Sequence, residues 1–383
     1  MSINNNIVVP YIKGDGVGGE IMPLVQHLVN EAVSKSYSLK RTIEWLPLLA
    51  GEEAIKTCGE YLPLETLESF KKHKIGIKGP LSTPVGKGIR SLNVKLRQEL
   101  DLYVCLRPVR WFKGVSSPVV SPEKVNVVIF RENTEDIYSG IEWEAGTEQA
   151  ILFYEFLKEK MGVKNVRFPQ SSSFGVKPVS SEGTERLVIA ACDYALKNNL
   201  QKVTLVHKGN IMKYTEGGFR KWGYEIAKRR FSEEISSGKL IVNDCIADAF
   251  LQNALLKPED YQVIATLNLN GDYISDMMAA QVGGIGISPG ANINFETGHA
   301  IFEATHGTAP DIAGKNIVNP CSLLLSAVMM LEFVGWKEAA KCLNSSLEIC
   351  LSEGYVTLDL AKNMKNGKPL GTVEFVRKLE SYL

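Results

Sequence analysis

The chain has 383 residues, 45% hydrophobic and 22% charged, the make-up of an ordinary globular protein but too long for a single core, so two domains are expected. Lys+Arg and Asp+Glu both number 43, so the net charge is zero, which disfavours nucleic acid as the main partner and eases self-association. Seven cysteines without a CxxC pair read as reduced core thiols, and five histidines show no metal spacing, which disfavours zinc.

The N-terminus MSINNNIVVPYIKG has no basic region followed by a long apolar run. The longest apolar stretch, 321–331, is too short to span a bilayer, so a soluble, cytoplasmic protein is expected.

Residues 7–12 are a β-rich run that ends in a glycine cluster. Gly14, Gly16 and Gly19 fit G-x-G-x-x-G before a helix over 19–36, the spacing of a dinucleotide-binding turn. The same glycines suit a plain tight turn, and Asp15 would sit badly beside a pyrophosphate. A strand (42–46), a helix (63–73) and a strand (74–77) continue an α/β alternation.

The segment 78–110 joins a Gly/Pro-rich loop to a helix that carries several arginines. Arg90, Asn93 and Arg97 fall on one helical face, while Leu92, Leu96 and Leu100 make a second stripe that can pack inward. Arg97 and Arg107 suit carboxylates, because guanidinium binds them bidentately. The plain alternative is a solvated face paired with nearby acids.

Further along, 124–130 reads as a buried strand, and Tyr138 in FRENTEDIY is a general acid or a packed core tyrosine. Residues 142–181 mix strand-like and helical pieces with turn residues, like an inserted arm. A buried strand over 202–207 leads to Lys208, a general-base candidate if burial lowers its pKa, or a strand-end lysine in solvent. Asp248 lies in apolar IADAF, and a buried acid needs a partner.

A strand over 263–267 precedes a turn at 268–271. Asp272 and Asp276 then lie four apart, where like charges repel unless a cation sits between them, and such oxygens suit Mg²⁺ or Mn²⁺. Asp272 as a helix cap beside a solvated Asp276 is the plain alternative. Residues 302–314 read as loop and 322–333 as an apolar helix.

Eight segments in order carry a resemblance over nearly the whole chain: IKGPLSTPVG, IRSLNVKLRQELDLYVCLRPVR, VIFRENTEDIYSGIEW, KPVSSEGTERL, VTLVHKGNIMKYTEGGFRKWGYE, IADAFLQNAL, ATLNLNGDYISDMMAAQVGGIGI and FEATHGTAPDIAGKNIVNP. The chain resembles the isocitrate/isopropylmalate dehydrogenase family, and within it the bacterial-type isocitrate branch. The resemblance implies an α/β fold of a large and a small domain with an inserted clasp, and not a Rossmann fold. It divides the chain into 1–102 with 284–383 (large), 103–135 with 181–283 (small) and 136–180 (clasp).

The implied activity is metal-dependent oxidative decarboxylation of isocitrate, a step of the tricarboxylic acid cycle, in a homodimer with shared sites. Ser91, Asn93, Arg97, Arg107 and Arg131 would hold isocitrate. Asp272 and Asp276, with Asp248 from a second subunit, would bind Mg²⁺ or Mn²⁺. Tyr138 and Lys208, the latter also from the second subunit, would be the acid/base pair. The cofactor would meet Ser82, Thr83, His306, Gly307, Thr308, Ala309, Pro310, Asp311, Ile312, Val318 and Asn319, so the glycine match at Gly14 is not a cofactor turn.

One departure concerns the cofactor. NADP-linked bacterial members carry Lys-Tyr where this chain has Asp311-Ile312, and Leu358 and Lys362 align with a further Tyr and Arg. An aspartate accepts hydrogen bonds from a ribose diol and repels a 2′-phosphate, so NAD is expected. The alternatives are NADP, a homoisocitrate, tartrate or isopropylmalate substrate, and a non-catalytic regulatory subunit. The Ser91/Asn93 pair disfavours the other substrates, and the complete set of acid/base and metal residues disfavours the regulatory subunit.

Overall fold

Short β-branched runs alternate with amphipathic helices, and the alternation builds one ten-stranded sheet among the described residues, 5–82 and 91–383 of the computed structural model. In chain order come β1 (Asn6–Ile12), α1 (Gly18–Tyr37), β2 (Thr42–Leu48), α2 (Glu52–Cys58), α3 (Leu64–His73), β3 (Ile75–Lys78), α4 (Leu92–Glu99), β4 (Val104–Arg110) and β5 (Asn126–Glu132). Next are β6 (Glu142–Trp143), α5 (Glu148–Glu159), β7 (Phe174–Gly175), α6 (Ser181–Lys197), β8 (Lys202–His207), α7 (Glu216–Arg230), α8 (Ser232–Ser236), β9 (Ile241–Ile246), α9 (Ala247–Leu256), β10 (Val263–Thr266) and α10 (Asn268–Gln281). The chain closes with β11 (Pro289–Asn294), β12 (His299–Ala304), α11 (Cys321–Phe333), α12 (Lys337–Ser352), β13 (Tyr355–Thr357), α13 (Leu358–Ala361), β14 (Lys368–Leu370) and α14 (Thr372–Glu380).

The sheet runs β2-β1-β3-β12-β11-β4-β5-β10-β8-β9. Its two flanks are parallel, and β12, β11, β4 and β5 pair antiparallel at the centre. Strand β5 shows why the sheet is buried on both faces. Val128 and Phe130 join one apolar cluster, while Val127 and Ile129 join another on the opposite side. Helices α1, α11, α12 and α14 pack together, and α6 and α10 pack against β5. On α4, Leu92 and Leu96 are buried with Ile12 and Phe70, so the expected stripe faces inward. Thr83 and Arg90, named from sequence, lie outside the described residues.

Two local expectations are corrected. Residues 268–271 are not a turn but the first turn of α10, since the Asn268 side chain is consumed by Arg131 and by the Glu135 carbonyl. The loop expected from 302 begins only after β12, because Phe302 and Glu303 are held in register by β3 and β11. Within 142–181, β6 and β7 form an antiparallel pair, and Phe153 of α5 packs on Trp143 and Phe174 with ring centroids 4.5 and 5.5 Å apart. No helix among the described residues is long and apolar enough to cross a membrane.

The glycine turn after β1 is closed by the protein itself. The N–H of Asp15 donates to the Pro80 carbonyl (2.7 Å) and that of Val17 to the Thr308 carbonyl (2.9 Å), so these donors are not free for phosphates. The buried Asp15 carboxylate accepts the N–H groups of Glu52 (2.9 Å) and Ser82 (2.8 Å). The motif is thus a brace between the loops at Pro80 and Thr308, and the fold is mixed α/β rather than Rossmann. Gly16 has φ +53°, and a Cβ there would lie 2.1 Å from the Thr308 oxygen, whereas a Cβ at Gly19 would meet only the flexible end of Lys13. Gly16→Ala should therefore cost about 1–3 kcal/mol. Gly19→Ala should be neutral or stabilising by up to about 1 kcal/mol. Urea midpoints test the pair; equal shifts would remove the brace.

Candidate active site

Strands β3, β4 and β12 and helix α4 bring a cluster of cations to one polar pocket of about 170 Å³, lined by Lys78, Asn93, Arg97, Arg107, Glu303 and His306 among others. Lys78 and Arg97 are both buried, and both pair with Glu303, at 2.7 and 3.0 Å. Burial would push the Glu303 carboxyl up, but Lys78, Arg97 and Arg107 outweigh it and hold it far below the ordinary range. The arginines are not exhausted by these bonds. Arg97 Nε and Asn93 Oδ1 are buried without a partner among the described residues, as is His306 Nε2. The unspent Arg97 donor suits an anionic ligand, whereas Asn93 Oδ1 and His306 Nε2 are acceptors that call for a hydroxyl or another donor on it. Ser91, at the N-cap of α4, stands beside this pocket in sequence but does not line it.

Arg131, from β5, is fully buried and forms the floor of a second cluster. Its Nε donates to Asn268 Oδ1 (2.8 Å), its Nη1 pairs with Asp272, and its guanidinium lies 4.8 Å from the Tyr138 ring. Gly271 leaves room for it, since a Cβ there would lie 2.5 Å from its stem. The Tyr138 hydroxyl donates to the other Asp272 oxygen at 2.5 Å. Burial, reinforced by that bond, pushes the Tyr138 pKa up to about 12, so the group keeps its proton at neutral pH. Burial alone would raise Asp272, but Arg131, Tyr138, Arg107 and Arg97 bring it below its ordinary value.

Asp276 behaves oppositely. Burial and the nearby Asp272 raise its pKa, and no hydrogen bond or ion pair reaches its carboxylate among the described residues. Arg107 and Arg131 offset this only in part and pair with it directly in no case among the described residues, so the carboxylate has room for a bound divalent cation.

Asp248 and Lys208 are elsewhere. No group of three His, Cys, Asp or Glu side chains among the described residues could hold a metal, so one chain does not assemble Asp248 with Asp272 and Asp276. Lys208 instead pairs with Asp248. His207 shapes the turn after β8: its Nδ1 accepts the Gly209 N–H (3.0 Å), and its Nε2 donates to Asp244 (3.0 Å). Asp248, Leu251 and Leu255 share one face of α9, and the two leucines are exposed, as are Ile211 and Tyr214 beside Lys208.

A more apolar cleft of about 290 Å³ is lined by Val17, His306, Gly307, Ala309, Ile312, Val318, Asn319 and Asp359 among others. Burial lowers the His306 pKa and keeps the ring neutral; its Nδ1 donates to the Gly307 carbonyl (2.9 Å), so Nε2 is left as an acceptor between the two cavities. Asn319 is fixed by Asp359 (3.0 Å) and by the Cys321 N–H (3.0 Å). Thr308 anchors the loop through its carbonyl. Pro310 and Asp311 are exposed and do not line the cleft, and Ser82 is held outside it by Asp15.

Lys78 and Glu303 carry almost no local sequence signal; the one clue is a charged residue inside each apolar strand, IGIK and HAIFEA. Their role yields a test. The folded pKa of Glu303 lies below its ordinary 4.5, so its stabilisation is complete above that pH and is lost as pH falls through the folded value. Glu303→Gln leaves two buried cations uncompensated and should cost about 3–5 kcal/mol at neutral pH. The loss on moving to acid should then be smaller in the variant than in wild type. Urea midpoints at neutral and acid pH check this, and parallel pH profiles would contradict it.

Known proteins can be set beside this geometry. The chain is 60% identical over 361 residues to a Streptococcus salivarius protein named isocitrate dehydrogenase [NADP], covering 94% of this chain and 92% of that one. A Streptococcus mutans protein of the same name is 57% identical over 383 residues, covering 100% of this chain and 97% of its own. A crystal structure of isocitrate dehydrogenase from Methylococcus capsulatus superposes with a TM-score of 0.83 at 35% identity, covering 98% and 99% of the two chains. The two streptococcal names overturn the expectation of NAD drawn from Asp311. The physical reason is its setting: exposed, outside the cleft lining and without a hydrogen bond or ion pair among the described residues, its carboxylate is screened by water and can turn away from a phosphate. The profile of the isocitrate/isopropylmalate dehydrogenase family matches residues 8–379, and the chain belongs to that family.

Proposed function

We propose that the protein catalyses the NADP-linked, metal-dependent oxidative decarboxylation of isocitrate to 2-oxoglutarate and CO₂. The observation that carries this reading is the arginine pocket with its unspent buried polar atoms, next to a tyrosine that keeps its proton. A tricarboxylate would take up Arg97, Arg107 and Arg131, with Asn93 and Ser91 selecting the remaining substituent. The division into 1–102 with 284–383, 103–135 with 181–283, and a clasp at 136–180 is supported by the sheet order, whose first five strands come from one part and last five from the other.

The active unit we propose is a dimer of this chain. Its support is the exposed apolar face that bears Asp248, Leu251 and Leu255, and the separation of Asp248 from the Asp272/Asp276 pair within one chain. A Mg²⁺ or Mn²⁺ ion would be held by Asp272, Asp276 and Asp248 of the partner subunit, and when bound supplies charge neutralisation at the C2 oxygen. NADP would lie along the cleft of His306, Gly307, Ile312, Val318 and Asn319, and when bound supplies the hydride acceptor. Its 2′-phosphate would meet Lys315 and Lys362, neighbours in sequence of the cleft-lining Ile317 and Asp359.

The residues then divide the work. Lys208 of the partner subunit takes the C2 hydroxyl proton as hydride leaves C2. Fixed by the arginines, the resulting β-keto acid loses CO₂, and the electron pair of the broken C–C bond forms an enolate. Tyr138 gives its proton to the carbon, and its anion is stabilised by Arg131. Much of the rate arises from orientation, since all three arginine anchors are buried.

Purified protein should reduce NADP with isocitrate when Mg²⁺ or Mn²⁺ is present, and stop when chelator is added. Activity only with homoisocitrate, tartrate or isopropylmalate, or only with NAD, would sink the reading. Tyr138→Phe should lower overall turnover by about 10²–10⁴-fold while single-turnover hydride transfer falls less. Unchanged overall turnover would remove Tyr138 from the mechanism.

A further inference from the structure

Beneath the catalytic segments lies a buried ion triad that none of the proposed chemistry uses. Asp136 and Glu216 are both fully buried, and Lys177 Nζ reaches the first at 2.5 Å and the second at 2.9 Å. No other lysine, arginine or histidine pairs with either carboxylate among the described residues.

Each member touches a different part of the machinery. Asp136 lies two residues before Tyr138, with φ +68°, a conformation that a non-glycine residue holds only when its surroundings enforce it. Its carboxylate accepts the Ile137 N–H (2.7 Å) and the Leu269 N–H (3.0 Å), the latter in the first turn of the helix that bears Asp272 and Asp276. Glu216 Oε2 accepts the Lys208 N–H (2.8 Å) and Asn270 Nδ2 (2.9 Å), while its Oε1 faces Lys177 as an ion pair.

We infer that Lys177 is a positioning residue for the reaction: by bridging Asp136 and Glu216 it holds Tyr138, Lys208 and the Asp272/Asp276 helix in one rigid frame. The inference rests on the proposed function and deepens it. Tyr138 and the aspartate pair serve the site of their own chain, whereas Lys208 serves the site of the second copy. One buried ammonium therefore sets geometry in both sites of a dimer. The arginine pocket is not part of the frame, since Arg97, Arg107 and Glu303 make no hydrogen bond or ion pair with the triad among the described residues.

Lys177→Met keeps the stem and removes the charge. It should lower kcat about 10–100-fold, because small misplacement of reacting groups is costly, and leave the isocitrate KM within about threefold. Glu216→Gln keeps an oxygen for Lys208 and Asn270 but loses the ion pair; it should show the same split with a kcat loss of about 3–10-fold, and it serves if Lys177→Met does not fold. Hydrogen exchange, which needs no activity, should rise together in the amides of Ile137, Lys208 and Leu269.

Hybrid dimers, assembled from two differently tagged chains, complete the test. A hybrid with one Tyr138→Phe chain should keep about half of wild-type turnover, because one site is spared. A hybrid with one Lys177→Met chain should fall well below half, because both sites are disturbed. Unchanged kcat in Glu216→Gln, or half activity in the Lys177→Met hybrid, would overturn the inference. Absence of isocitrate turnover in wild type would instead refute the proposed function, with the exchange measurement still deciding the frame.

Discussion

One buried carboxylate makes the centre of this sheet possible. Lys78, Arg97 and Arg107 converge where β3, β4, β12 and α4 meet, and isolated cations there would face several kcal/mol of desolvation each. Glu303, from a strand registered between β3 and β11, answers two of them directly and pulls on the third. An apolar core of the same volume would be as stable or more so, but it would hold no donors. Because the carboxylate satisfies the cations only partly, Arg97 lines the cavity with its Nε still without a partner among the described residues. The same logic runs through Arg131, which Asn268 and Asp272 fix so firmly that its stem crowds against Gly271.

The parts of the fold that are legible in sequence are those whose causes are local. Strand β8 falls on the expected 202–207, and the Leu92/Leu96 stripe is buried as its spacing requires, because alternation and helical periodicity depend on neighbours a few residues away. Arg97, Arg107, Arg131 and Asp272 are brought together as the motifs imply. What escapes is set at long range. Glu303 reads as a loop residue, because the neighbours that hold it in a strand and its partner Arg97, 206 positions away, are distant in sequence. Asn268 and Gly271 look like turn residues until Arg131, 137 positions from Asn268, is seen to occupy the space beside them. The glycine motif at Gly14 fails for a related reason: its pattern describes a turn, but the Pro80 and Thr308 carbonyls that consume its donors come from distant loops.

Cofactor preference is the instructive failure. The place of Asp311 in the motif does not set where its charge points. Coulomb repulsion of a phosphate depends on the dielectric between the charges, and an exposed carboxylate outside the cleft acts through water. A single charge excludes a ligand by repulsion only where the fold desolvates and orients it. Asn319, locked by Asp359 and the Cys321 N–H, is oriented in that way, and Asp311 is not.

The triad of Lys177, Asp136 and Glu216 sharpens the distinction between holding a fold together and holding a site together. A buried salt bridge is weak grounds for stability, since apolar replacements commonly do as well. Its advantage here is directional. The carboxylates take named backbone N–H groups of Leu269 and Lys208, so the ammonium between them fixes the relative placement of the segments that follow β5, β8 and β10. Apolar contacts would let those segments slide by fractions of an ångström with little change in energy, whereas hydrogen bonds to single N–H groups weaken steeply with angle. On the proposed reading, in which acid, base and metal carboxylates arise on different segments and the base serves another chain, that kind of constraint matters more than the energy.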